Sequence, residues 1–253
     1  MKEELKRSSM LDHLKQLRRV LIASLIAFAA ATAACYFFLI DPLKSLFFGP
    51  LFSVGKNLVI IGVGEGFLVQ LEIACVGGIV FASPVILWQL LGFIAPALYK
   101  RERKAFFGAF FTAVLLFAGG ILFGYIIVLK FALQTFLIDY SQGFTPMISA
   151  GKYLSFFLNF LLPFGIAFLV PLATLLLSKL GIIKSKQLKK KRRYAALVIL
   201  VFAAFLTPPD VLSQILLAGP MYLLYEASIK IAVLVERRKR LKAAAQAEEE
   251  KTA

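Results

Sequence analysis

One carboxylate, Glu102, stands among Lys100, Arg101, Arg103 and Lys104, where a long apolar stretch interrupted by Pro84 comes to its end. A carboxylate accepts a guanidinium through two parallel hydrogen bonds, the strongest fork available to either group. Glu102 therefore either balances its basic neighbours in solvent or accepts an incoming cationic ligand. Other chemistry is thin. His13 has no nucleophile or metal partner nearby, and Cys35 and Cys75 lie inside apolar segments. Neither catalysis, a disulfide framework, a metal site nor a cofactor site follows from such a set.

The elements that must position Glu102 are membrane helices. The chain has 253 residues, of which 60% are hydrophobic and 17% charged, and its mean hydropathy is +0.84. That is too apolar for a water-soluble domain. Apolar runs of helical length cover about 20–40, 67–95, 105–129, 153–177, 195–206 and 211–235. They predict an all-α protein with six transmembrane helices in one domain over 1–236, followed by a charged tail at 237–253. The fifth run reaches only about 18 Å at 1.5 Å per residue, so it needs its flanks or a locally thinned bilayer to cross.

The net charge of +15 is not a nucleic-acid footprint, because the basic residues fall in clusters between apolar runs. Alternate segments hold 25 of the 29 Lys and Arg residues and the others hold 4. This puts both termini, Lys100–Lys104 and Lys179–Arg193 in the cytoplasm. The segments Asp41–Gly66 and Lys130–Lys152 are then outer loops that fold back over the surface. Arg18-Arg19 before an apolar run ending Ala33-Ala34-Cys35 imitates a cleavable signal, but the run continues to Ile40 and reads as a full span with a basic anchor.

Pro84, Pro163, Pro171 and Pro220 interrupt the spans, and bent helices leave a concave wall. Among the few polar groups in the spans, Glu72 reads as a solvated interfacial acid, and Glu226 as a partner of Lys230 one turn on. Asn159 reads as a bond to a neighbouring helix. Thr207-Pro208-Pro209-Asp210 compresses a helix stop, a turn and a start into four residues, with Asp210 capping the sixth helix. Gln214 shares the face of Asp210 and has no comparable local role.

Three ordered strings resemble the TatC family of twin-arginine protein translocase subunits: Asp12-His13-Leu14-Lys15-Gln16-Leu17-Arg18; Ser83-Pro84 through Trp88-Gln89 with Phe93 to Tyr99 and Glu102-Arg103; and Thr207-Pro208-Pro209-Asp210 with Ser213-Gln214, Pro220 and Leu224-Tyr225-Glu226. The resemblance covers about Leu11 to Val235. It implies a receptor in the bacterial cytoplasmic membrane that recognises the twin-arginine signal peptides of folded precursors. It also implies single-span partner subunits of the TatA/TatB type and export driven by the proton motive force, with no enzymatic step.

On the family's pattern the signal docks on Glu102 and on the residue at position 16, with Leu17, Arg18, Phe93 and Pro96 adjoining, and Pro84, Asp210 and Gln214 as structural or translocation positions. Two positions depart from it. Gln16 stands where the family has a glutamate, and Leu169 where many relatives carry an acid in the fourth helix. Gln16 still accepts a hydrogen bond, without the ionic part. The rival reading, a secondary transporter of a small solute, expects internal repeats and midplane polar groups, of which the chain offers only scattered prolines and Asn159.

Overall fold

The computed structural model describes residues 2–94, 103–139, 147–206 and 211–252. The order is α1 (Lys2–Phe38), α2 (Ile40–Ser53), β1 (Leu58–Val59), α3 (Glu65–Ile94) and α4 (Arg103–Phe123). A π-helical turn (Gly124–Leu129), α5 (Lys130–Gln134) and a second π turn (Thr135–Asp139) prolong α4. Then come β2 (Ile148–Ser149), α6 (Ala150–Phe168), α7 (Val170–Leu180), α8 (Ser185–Lys190), α9 (Arg192–Leu206) and α10 (Val211–Thr252). Among the described residues five stretches are long and apolar enough to cross a membrane: Leu14–Phe38, Glu65–Phe93, Phe106–Ile138, Ala150–Lys179 and Leu217–Arg238. The chain is an all-α, multi-span membrane protein. At 15 residues α9 rises about 22 Å, short of a hydrocarbon core of roughly 30 Å.

Two compact units divide the chain, Met1–Val114 with Leu129–Leu158, and Leu115–Val128 with Asn159–Ala253. In the first, α1 packs along α3, and α2 lies against both. The segment expected as an outer loop is largely this helix, pinned by the buried Leu43, Phe47 and Leu51. Phe47 stacks on Phe157 at 4.7 Å, and Tyr153 Oη donates to the Phe47 carbonyl at 3.0 Å. The third span likewise outruns its expected end at residue 129. Lys130 is exposed and stays on the helix surface, so its charge does not terminate the helix. What remains of the two segments expected as outer loops meets in a small parallel pairing, Leu58 with Ile148 and Val59 with Ser149.

In the second unit α10 packs against α7, α8 and α9. The expected fourth span is one apolar stretch broken at Leu169, because Pro171 cannot donate to the carbonyl one turn earlier. Close approach there depends on glycine. A Cβ on Gly120 would lie 2.9 Å from the Phe164 carbonyl carbon and 3.0 Å from Gly165 Cα. Gly181, at φ 80°, closes α7 in the left-handed conformation, and the Ile182 amide donates to the Leu177 carbonyl at 3.0 Å.

Candidate functional site

The amino-terminal and first-loop residues singled out by the sequence lie on, or follow directly from, the α1–α3 pair. Its seam is set by small residues: a Cβ on Gly77 would meet Cys35 Sγ at 3.1 Å, and one on Gly78 would meet the Thr32 backbone nitrogen and Cα at 2.9 Å. Cys35 opposite Gly77 and Thr32 opposite Gly78 make the helices antiparallel, with facing residue numbers adding to about 110. The same register brings Gln16, Leu17 and Arg18 level with Ile94, Phe93 and Gly92. Gln16, Leu17 and Arg18 are exposed, and Phe93 is half-buried.

Pro84 sits within α3, where it leaves the Val80 carbonyl without its usual amide donor. The Ser83 hydroxyl donates to that carbonyl at 2.7 Å, which is how a span tolerates the proline. One turn on, Trp88 packs edge-on against Phe106, Phe107 and Phe110 of α4, with ring centroids 4.8, 5.6 and 5.0 Å away. Aromatic pairs in this geometry hold two helices at a fixed angle. The helices that lead into and out of the Glu102 segment are thus tied together by one tryptophan. Glu102, Pro96 and Asp210 themselves lie outside the described residues.

Two carboxylates that the sequence reading did not single out organise the loops. At the start of α3, Glu65 accepts from the Ile61 and Gly62 amides at 2.6 and 3.2 Å, from the Gly151 amide at 2.9 Å, and from the Ser149 hydroxyl. One side chain therefore fastens both of these inter-span segments beside the β1–β2 pairing. Its signal in the sequence was an acid at a helix start between Gly64 and Gly66, but two of its partners, Ser149 and Gly151, lie more than eighty residues away. The second is Glu236 of α10, which accepts from the Ser185 amide at 2.6 Å and the Ser185 hydroxyl at 2.7 Å, capping α8. Gln187 completes that cap by accepting from the Lys184 amide at 3.1 Å.

Glu226 corrects an expectation. Its partner is Arg192 at 2.8 Å, with the Tyr222 hydroxyl at 3.3 Å, in place of Lys230 on its own helix. A guanidinium arriving from α9 offers a shorter, better-directed contact than a lysine one turn along the same helix. Nearby, the Tyr225 hydroxyl donates to the Leu188 carbonyl at 2.8 Å, so α8 is pinned to α10 from two sides. Gln214 acquires a role: its amide donates to the Leu200 carbonyl at 3.0 Å, closing the hairpin between α9 and α10. Glu72 is exposed, as a solvated interfacial acid would be. Asn159 is also exposed, with no hydrogen bond to another helix among the described residues, so the expected interhelical bond is not made.

The profile of the family described as Sec-independent protein translocase protein (TatC) matches residues 12–220. A Sec-independent protein translocase protein TatC of Carboxydothermus hydrogenoformans is 41% identical over 229 residues, covering 90% of this chain and 94% of that protein. Its counterpart from Aquifex aeolicus is 37% identical over 234 residues, 90% and 96% of the two chains. A crystal structure described as the twin arginine translocase receptor TatC superposes with a TM-score of 0.78 at 36% identity, over 88% of this chain and 99% of that one. A second, of the receptor in DDM, gives 0.80 at 36% identity, over 87% and 99%. With a family profile spanning most of its length and relatives this similar across nearly the whole fold, the chain belongs to the TatC family.

Proposed function

We propose that the chain is the receptor subunit of a twin-arginine translocase. It binds the twin-arginine signal peptide of folded cargo at the cytoplasmic face and exports that cargo across the cytoplasmic membrane together with single-span TatA/TatB-type partners, driven by the proton motive force. The chain crosses six times, with α9 and its flanks as the fifth crossing, both termini inside and the bent helices forming a concave wall. No catalytic step is required of it.

Glu102 is the principal acceptor for the signal's arginines. The observation that carries this is the Trp88 contact with Phe106, Phe107 and Phe110, which ties together the helices leading into and out of the Glu102 segment. On the side assigned to the cytoplasm by the basic clusters, the described carboxylate side chains are Glu226 and Glu236, and both are engaged within the chain. Neither is open to an incoming guanidinium, and the family's pattern gives that role to Glu102. Gln16 is a weaker second acceptor, brought level with the end of α3 by the Gly77–Gly78 seam. Leu17, Arg18, Phe93 and Pro96 shape the adjoining surface. Pro84, Asp210 and Gln214 are structural or translocation positions apart from that surface, Pro84 within α3 and Gln214 in the closure of α9 on α10.

The test is binding of a twin-arginine signal peptide to the purified protein, against a twin-lysine version. Lysine cannot form the bidentate fork. Charge-assisted hydrogen bonds of about 1.5 to 3 kcal/mol predict that Glu102→Gln weakens twin-arginine binding by at least about tenfold. Equal affinity for the two peptides, or intact binding after Glu102→Gln, removes the assignment.

A further inference from the structure

Lys15, Arg18 and Arg19 line one side of α1 together with Ile22, Ala23 and Ile26, around an open groove of about 330 Å³. The spacing runs in steps of three and four, so at about 100° per residue all six lie on one face, cations at one end and aliphatics at the other. All three cations are exposed and none has a carboxylate partner among the described residues. Ile22 and Ile26 are 46% and 63% exposed, so nothing among the described residues covers the apolar half. We infer that this face is a binding site for one anionic phospholipid of the inner leaflet, its phosphate held by Lys15, Arg18 and Arg19 and an acyl chain lying along Ile22, Ala23 and Ile26.

Dimension and charge select this occupant. From Arg19 to Ile26 the helix rises about 10 Å, which stays within one leaflet of a hydrocarbon core roughly 30 Å thick. A soluble anion would satisfy the cations and leave the isoleucines bare. A zwitterionic lipid would cover the isoleucines but bring its own cation beside three others. An anionic lipid satisfies both halves, and each Lys or Arg at such a surface strengthens binding about fivefold. The inference needs the membrane placement alone and not the receptor reading. It has a consequence for that reading, since bound phosphate neutralises cations that would repel an arginine pair arriving at Gln16, which lies about 100° round the helix from Lys15.

The test counts lipids retained by the full-length chain in native mass spectrometry, using phosphatidylglycerol and phosphatidylcholine of identical acyl chains. The wild type should retain one phosphatidylglycerol in preference to phosphatidylcholine. Lys15→Gln, Arg18→Gln and Arg19→Gln should each lower that preference about fivefold, whereas a triple control, Lys186→Gln, Lys189→Gln and Lys190→Gln, should leave it unchanged despite removing more charge. Single variants keep most of the topogenic charge, and a thermal melt checks that each is folded. An undiminished preference in all three single variants overturns the site, as does an equal loss in the control. Displacement of the lipid by inorganic phosphate at equal concentration would assign the groove to a free anion and overturn the lipid assignment.

Discussion

The α1–α3 seam makes a prediction whose sign reverses with position. Alanine is normally favoured over glycine inside a helix by about 0.5 to 1 kcal/mol. At Gly108, where an added Cβ meets nothing within 4 Å, Gly108→Ala should collect that gain. At Gly78 the same methyl would lie 2.9 Å from the Thr32 nitrogen and Cα, which are backbone atoms and cannot rotate away. Ordinary carbon contacts begin near 3.5 Å, so α1 and α3 must part by roughly 0.6 Å or more. Overpacking on that scale costs about 1 to 3 kcal/mol and outweighs the propensity gain. The two substitutions, identical in chemistry, should therefore shift the thermal midpoint of the purified protein in detergent in opposite directions. Thr32→Gly combined with Gly78→Ala should recover only part of the loss, since the backbone clash remains. Because the same seam levels Gln16 with the end of α3, Gly78→Ala should also weaken twin-arginine peptide binding well below its melting temperature. A melt for Gly78→Ala at or above that of Gly108→Ala would refute the argument from close approach.

Other perturbations test other joints. Ser83→Ala should cost about 1 kcal/mol, because it strips the donor from the Val80 carbonyl that Pro84 leaves bare. Adding Pro84→Ala should restore most of it, since the new amide can donate there, and strictly additive melts in this cycle would disprove the coupling. Glu65→Gln presents amide hydrogens to a site built entirely of donors, so trypsin should cleave after Lys56 and Lys152 faster than in the wild type; unchanged rates would show that the outer segments do not depend on this clasp. Arg192→Gln removes a partly exposed ion pair and should cost no more than about 0.2 to 1 kcal/mol at low salt, fading as ionic strength rises. A larger, salt-independent loss would mean that Arg192 acts through packing.

Five of the six expected spans were legible because burial in lipid imposes a continuous apolar run, and such a run is a property of neighbouring residues. Of the four prolines read as interruptions, Pro171 is a local cause of the break at Leu169, whereas Pro84, Pro163 and Pro220 lie inside continuous helices. Partners were not legible. Glu226 offered Lys230 at helical spacing, but Arg192, thirty-four residues earlier, lay beyond any periodicity argument. Glu65 had a local reading as a helix-start acid, while the Ser149 hydroxyl and Gly151 amide that define its role come from the far side of two helices. Gly77 and Gly78 stood unremarked in an apolar run, although they set the seam. Sequence pattern reports what a residue needs from its environment, and tertiary structure decides which distant group supplies it.

Packing along α1 is graded, and the gradient bears on how a receptor of this kind can work. Toward its carboxyl-terminal end Cys35 is buried against Gly77, Leu43 of α2 reaches the same glycine, and Glu65 fastens the segments beyond. Toward the other end Leu14, Leu17, Leu21 and Leu25 are all exposed, and between Leu14 and Thr32 the buried side chain is Val20. On a membrane span those leucines face lipid, so within the chain this end is held by fewer buried side chains than the end at the seam. A signal peptide needs a surface that yields locally without shifting the helix register. Gln16 lies about 24 Å along the helix from Thr32, so a given change in the angle of α1 at the Gly77–Gly78 seam is magnified into a larger displacement there.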